Sequence, residues 1–194
     1  MNVLRVLAVL ASLAAAGCAS MSEKECRSAD WEAVGQADGA RGSPGDMLER
    51  HRKACARHDV QPAEAAWRAG FAKGLETFCT PKGGYVAARA GNGHHNNCFG
   101  LPGEDKFMAG FNNGAQVQAL LREVRELHRR LRDIESSALS GQYSDYELAQ
   151  VRLRAAEMSD ALRRKQWELE KLDKAFCAEY GAKELTDADM QRLY

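Results

Sequence analysis

The sequence predicts an all-α protein, with a small disulfide-stapled helical domain followed by an antiparallel coiled-coil helical hairpin. Three observations predict it. Four cysteines, Cys26, Cys55, Cys79 and Cys98, lie close enough in the chain to pair. An aromatic residue coupled to two glycines recurs three times in the same region. Two apolar seams of helical spacing then follow, separated by a short break. The chain has 194 residues, enough for one domain or a small domain plus an extended element. Its 27 Lys and Arg balance 27 Asp and Glu, so charge gives no reason to expect nucleic acid as a partner. The composition also excludes a collagen-like chain, a polytopic membrane protein and a disordered acidic tail.

Residues 1–17 have the pattern of a signal peptide. Arg5 is the only charged side chain before Glu23, and an apolar run broken only by Ser12 follows it. That run is shorter than the roughly 20 residues a bilayer span needs. A basic residue, an apolar stretch and small residues describe a secretory leader. The small residues Ala15, Ala16 and Gly17 lead directly into Cys18. This segment resembles the lipobox of bacterial lipoproteins, a family that prefers Leu where this chain has Ala15. The resemblance implies a diacylglycerol on the Cys18 thiol, cleavage just before it and an acylated new N-terminus, with palmitate as the expected acyl group. Residues 18–25 would then be a lipidated tether. Ala19 lacks the Asp that retains many lipoproteins in the inner membrane, so the resemblance favours the outer membrane, facing the periplasm. Two or more acyl chains anchor stably, each buried methylene contributing about 0.8 kcal/mol. An ordinary leader with a chance cysteine and an uncleaved helical anchor are the alternatives.

Residues 26–114 form the Cys- and Gly-rich segment. An exported chain meets an oxidising compartment, where disulfides persist. Four cysteines allow three connectivities. The preferred one is Cys26–Cys55 with Cys79–Cys98, the second bridge closing a Gly-rich loop over residues 82–97. Each bridge would stabilise by about 3 kcal/mol on the loop-entropy argument. The run His94-His95-Asn96-Asn97-Cys98 has residue types that suit zinc or copper. It lacks a second spaced pair of ligands, and a bridged Cys98 could not ligate, so no metal is expected and His94 and His95 remain only an alternative site. Cys177 stands apart. It is free, displaces a partner in one bridge, or joins two chains as a homodimer.

The recurring motif is Trp31-x3-Gly35-x3-Gly39, then Trp67-x2-Gly70-x3-Gly74, then Phe107-x2-Gly110-x3-Gly114. Glycines four apart share a helix face. Each costs about 1 kcal/mol relative to Ala, so three repeats call for a packing reason. Close backbone approach is that reason, with the aromatic filling the adjoining groove. A phosphate cradle would need a preceding strand and a Gly-x-Gly turn, and neither accompanies these glycines.

Cys26, Asp30-Trp31, Gly35, Asp38-Gly39, Gly42, Cys55, Gly70, Gly74, Phe78-Cys79, Gly83-Gly84-Tyr85 and Cys98 together resemble an uncharacterised bacterial lipoprotein family, the YfiL-like domain of unknown function. The resemblance covers roughly residues 18–114. The chain departs from it at Ala87-Ala88-Arg89, where another glycine is expected, and in its long C-terminal extension. It implies a lipoprotein envelope module and no catalytic residue.

Residues 115–180 read as the coiled-coil hairpin. Val117, Leu120, Val124, Leu127, Leu131, Ile134 and Ala138 form one seam, and Leu148, Val151, Ala155, Met158, Leu162, Leu169, Leu172 and Phe176 the other, interrupted only by Lys165. Residues 140–143 break the pattern, and Ser144 to Glu147 has the form of a capping box. Folding about Gly141 predicts Leu127 near Ala155 and Leu162 near Leu120, with Cys177 near the start of the first arm. The alternative is two arms that separate and pair with another chain. Gly181 can stop the second arm, and 181–194 is a tail in which Thr186 can cap a last turn.

No cofactor and no enzyme activity are expected. There is no Gly-x-Ser-x-Gly elbow and no His-Glu-x-x-His motif. Asp30 and Asp38 could pair as acid and base, or one of them could cap a helix. His51 and His58 sit among Arg and Lys and are expected on the surface, and His128 flanks a seam. The expected role is that of an outer-membrane lipoprotein, structural or scaffolding, held to the membrane through Cys18 and presenting the hairpin to an envelope protein. The alternative is a periplasmic small-ligand or metal-binding lipoprotein using the His94/His95 loop.

Overall fold

The computed structural model describes residues 21–139, 141–186 and 189. The leader and Cys18 lie outside them. The described residues form seven α-helices and no strand, and they divide into two compact units, one ending at Thr77 and one starting at Phe78.

The first unit holds α1 (Glu23–Ser28), α2 (Trp31–Ala40), α3 (Met47–Ala56) and α4 (Glu64–Phe78), the last residue of which opens the second unit. A capping box between Ser22 and Glu25 starts α1, and Met21 is buried. The end of the segment expected as a tether is therefore folded. Asp30 caps α2, its Oδ1 accepting from Glu32 N and Ala33 N at 3.1 Å each. Cys26 and Cys55 form a disulfide with Cα atoms 5.6 Å apart and both residues buried, tying α1 to α3. Met21, Trp31, Leu48 and Trp67 pack around that bridge.

The glycine pattern explains how α2 and α4 meet. A Cβ added at Gly35 or Gly39 would overlap the carbonyl oxygens of Trp67 and Phe71, and one added at Gly70 or Gly74 would overlap those of Glu32 and Gln36. Each helix thus presents its two glycines to the other's backbone, and no side chain separates them.

The second unit holds α5 (Pro81–Arg89), α6 (Glu104–Ala138) and α7 (Asp145–Tyr180). Cys79 and Cys98 form the second disulfide, with Cα atoms 5.5 Å apart. The expected loop over 82–97 requires correction, because its first half is α5. Thr80 caps this helix by accepting from Gly83 N at 3.0 Å, and Pro81 occupies the first turn, where a missing N–H costs nothing. Local Gly propensity suggested a loop, but packing overrides it. Gly84 lies against the Phe107 carbonyl, while Gly110 and Gly114 lie against those of Pro81 and Tyr85. The third aromatic–glycine motif therefore belongs to α6. The boundary expected at 114/115 falls inside one continuous 35-residue helix.

The helices α6 and α7 run antiparallel. Asn113 donates to the Tyr180 hydroxyl (2.7 Å), Lys165 pairs with Glu123 (3.0 Å), and Gln166 meets His128 (3.2 Å). These contacts correct the expected register. Leu127 lies beside Ala161 and Lys165, about two turns from Ala155. The connection does not turn tightly about Gly141, so the first turns of α7 run past the end of α6. Burial follows the same gradient. Val117, Leu120, Leu121, Val124, Leu162 and Leu169 are buried, whereas Ile134, Leu148, Val151 and Met158 are only half-buried. Ser144 and Glu147 form the expected capping box of α7, and Gly181 ends the helix with φ +60°.

Candidate functional site

Two buried polar networks concentrate the chemistry, one in each unit. In the first, Asp38 on α2 is almost fully enclosed and receives three donors. Arg41 Nη2 reaches Oδ1 at 2.6 Å, while His51 Nε2 and Trp67 Nε1 reach Oδ2 at 2.8 and 3.0 Å. Burial by itself would raise the Asp38 pKa. The bonds from His51 and Trp67, with the charges of His51 and Arg41, outweigh it and hold the carboxyl below its ordinary range. Asp38 Oδ2 accepts from His51 Nε2, and His51 Nδ1 is buried with no partner among the described residues. Neither ring nitrogen meets a hydroxyl or thiol. The arrangement pins α2, α3 and α4 together and positions no nucleophile.

This corrects one reading and decides another. His51 is buried, because Leu48, His51 and Cys55 share the inward face of α3, and the neighbouring Arg and Lys point away. Asp30 and Asp38 do not pair, since one caps a helix and the other lies one heptad after Trp31 on the packed face.

In the second unit, Asp173 on α7 joins α5. Its Oδ1 accepts from Tyr85 Oη (2.7 Å) and Arg89 Nη1 (2.8 Å), and its Oδ2 from Leu185 N (2.8 Å). Cys177 is free and buried. Its Sγ receives Arg89 Nη1 at 3.2 Å and lies 3.4 Å from the Lys183 carbonyl. Burial, then the bond to Asp173, pushes the Tyr85 hydroxyl far above its ordinary value. For Arg89 burial acts against the charge, but Asp173 outweighs it and the pKa rises. Burial also raises the Cys177 thiol, which stays protonated and unreactive.

The remaining sequence candidates are dispersed. His94 rests edge-on against Phe111, with ring centroids 5.0 Å apart, and its Nδ1 accepts from Asn96 N at 3.1 Å. His95 is exposed, and Cys98 is bridged. Among the described residues no group of three His, Cys, Asp or Glu side chains is placed to hold a metal ion. A groove of about 560 Å³ runs between α6 and α7, with Leu127 and Ala161 at its floor and Arg122, Glu126, Arg130, Arg164 and Lys165 at its rim.

The fold and its sites thus define an all-helical, doubly disulfide-bonded protein whose polar clusters are closed. Residues 30–116, a little under half of the chain, match the model of a family described as a protein of unknown function (DUF2799). The match begins at the Asp30 cap, takes in all three aromatic–glycine helices and stops within α6. It is consistent with the expected resemblance to an uncharacterised family. No curated protein and no solved structure matches the chain.

Sequence reasoning missed both networks, although a signal for each was present. The buried positions of α7 are Leu162, Leu169, Asp173 and Cys177. The expected seam ended on Leu172 and Phe176, which are only partly buried. A straight helix drifts by about 20° per heptad against a strict seven-residue repeat, and that drift turns the next residues inward.

Proposed function

We propose that this chain is an outer-membrane lipoprotein anchored through Cys18, and that it acts as a structural or scaffolding module of the bacterial envelope by presenting α6 and α7 to an envelope protein. One observation carries the reading: the titratable clusters are closed and serve packing, while an open groove lies between the two long helices. The lipobox-like Ala15-Ala16-Gly17-Cys18 supplies the anchor, and the two disulfides suit an exported chain.

Changing Cys18→Ser should leave an unprocessed or soluble product, because the thiol is the acceptor of the lipid. Detergent partitioning and the mature N-terminus of the variant are the measurements, and if both match the parent the anchor assignment is wrong. Crosslinking in intact cells from the exposed faces of α6 and α7 tests the scaffold role. Should His94→Ala with His95→Ala abolish function while a shortened hairpin retains it, the 90–103 loop becomes the working site.

A further inference from the structure

The side of α7 turned away from α6 has a pattern of its own. Tyr146, Leu153 and Trp167 are 73%, 56% and 65% exposed. They fall on one heptad stripe with Asp160 and Lys174 between and beyond them. Leu153 and Trp167 therefore lie about 40° apart around the helix and roughly 140–200° from the buried Leu162 and Leu169. The adjoining stripe carries Gln150, Glu157, Arg164 and Lys171. Asp160 pairs with Arg163, leaving Arg164 and Glu157 without an ion pair inside the chain among the described residues. Tryptophan, tyrosine and arginine are the residue types most enriched at interface anchor points, and this side of α7 carries all three.

We propose that this face binds a second copy of the chain, with the two α7 helices antiparallel about a two-fold axis passing near Asp160 and Ala161. In that arrangement the charges of the adjoining stripe are complementary, and Asp160, which meets its own copy at the axis, is already paired with Arg163 of its own chain. Glu157 of each copy meets Arg164 of the other, and Leu153 of each meets Trp167 of the other. Tyr146 lies along the aliphatic stem of the other copy's Lys174. A two-fold axis makes every contact twice, as an isologous interface requires. A parallel pairing would instead set Glu157 against Glu157 and Arg164 against Arg164. Lys171 already covers one side of Trp167, its Nζ 5.0 Å from the ring centroid, which shields the indole while the chain is alone. The result is a four-helix assembly. This inference stands apart from the anchor reading, since it does not use Cys18.

Sedimentation of the full-length chain in density-matched detergent should show a dimer. Glu157→Arg and Arg164→Glu, made singly, place like charges face to face twice per dimer and should weaken association about 100-fold or more. The double variant restores both pairs and should dimerise like the parent. A monomeric parent, single variants that still dimerise, or a double variant that fails to recover would each overturn the proposal. As a second measurement that needs no charge change, a benzoylphenylalanine photoprobe at Leu153 should label residues 164–171 of an isotopically distinct copy. Labelling confined to other segments would overturn it as well.

Discussion

Asp38→Ala should destabilise the first unit by about 3–5 kcal/mol, the cost of breaking a buried charged network by removing one partner. The size follows from what is left behind. Trp67 Nε1 and His51 Nε2 lose their acceptor inside a closed core, and the Arg41 guanidinium loses its partner. Denaturant unfolding followed by tryptophan fluorescence is the measurement, and a change under 1 kcal/mol would refute the pinning role. The same residue fixes a pH dependence. Its carboxyl is held low in the folded state, so its contribution is fully present above the unfolded value of about 3.9 and is lost as pH falls through the lower folded value. Parent and Asp38→Ala stabilities should therefore draw together as pH falls below the ordinary carboxylate range and separate as pH rises through it.

Gly74→Leu should cost about 3 kcal/mol or more, at or above the upper end for overpacking, because even its Cβ would overlap the Gln36 carbonyl and the backbone at Ala40. Gly45→Leu is the control. An added Cβ there meets nothing within 4 Å, and the change should stay within about 0.5 kcal/mol. Gly83 does not serve as the control that a loop position would provide, since it abuts the Phe78 carbonyl at the start of α5. Similar melting temperatures for Gly74→Leu and Gly45→Leu would remove the close-contact explanation of the repeated motif.

The sequence made some of this legible through spacing. Cysteine separation and the helical patterns between them led to the Cys26–Cys55 and Cys79–Cys98 pairs, and glycines four apart announced close helix crossings. The capping box at Ser144 and the stop at Gly181 rest on local chemistry and could be read residue by residue. What escaped depends on which helix faces which. Thr80 and Pro81 are local signs that a helix starts at α5, but Gly83 and Gly84 outweighed them in the sequence, and the contact that compensates Gly84 comes from α6. The hairpin register was misread because the seam repeats every seven residues and tolerates a slip of one repeat. Only pairs such as Lys165–Glu123 fix it. His51 was misplaced by its charged neighbours, when its spacing from Leu48 and Cys55 was the better guide.

Cys177 turns the docking of α7 into something that can be timed. Its sulfur is enclosed by Tyr85, Arg89 and the Lys183 carbonyl, so a thiol reagent reaches it only when the end of α7 lifts from α5. It is also the one unpaired sulfur among the described cysteines. The rate at which a chemical label appears on this single atom therefore counts openings of that helix end. While the chain is still folding, the same atom is a competitor for the sulfurs of the two bridges. Once α7 has docked, it is withdrawn from exchange.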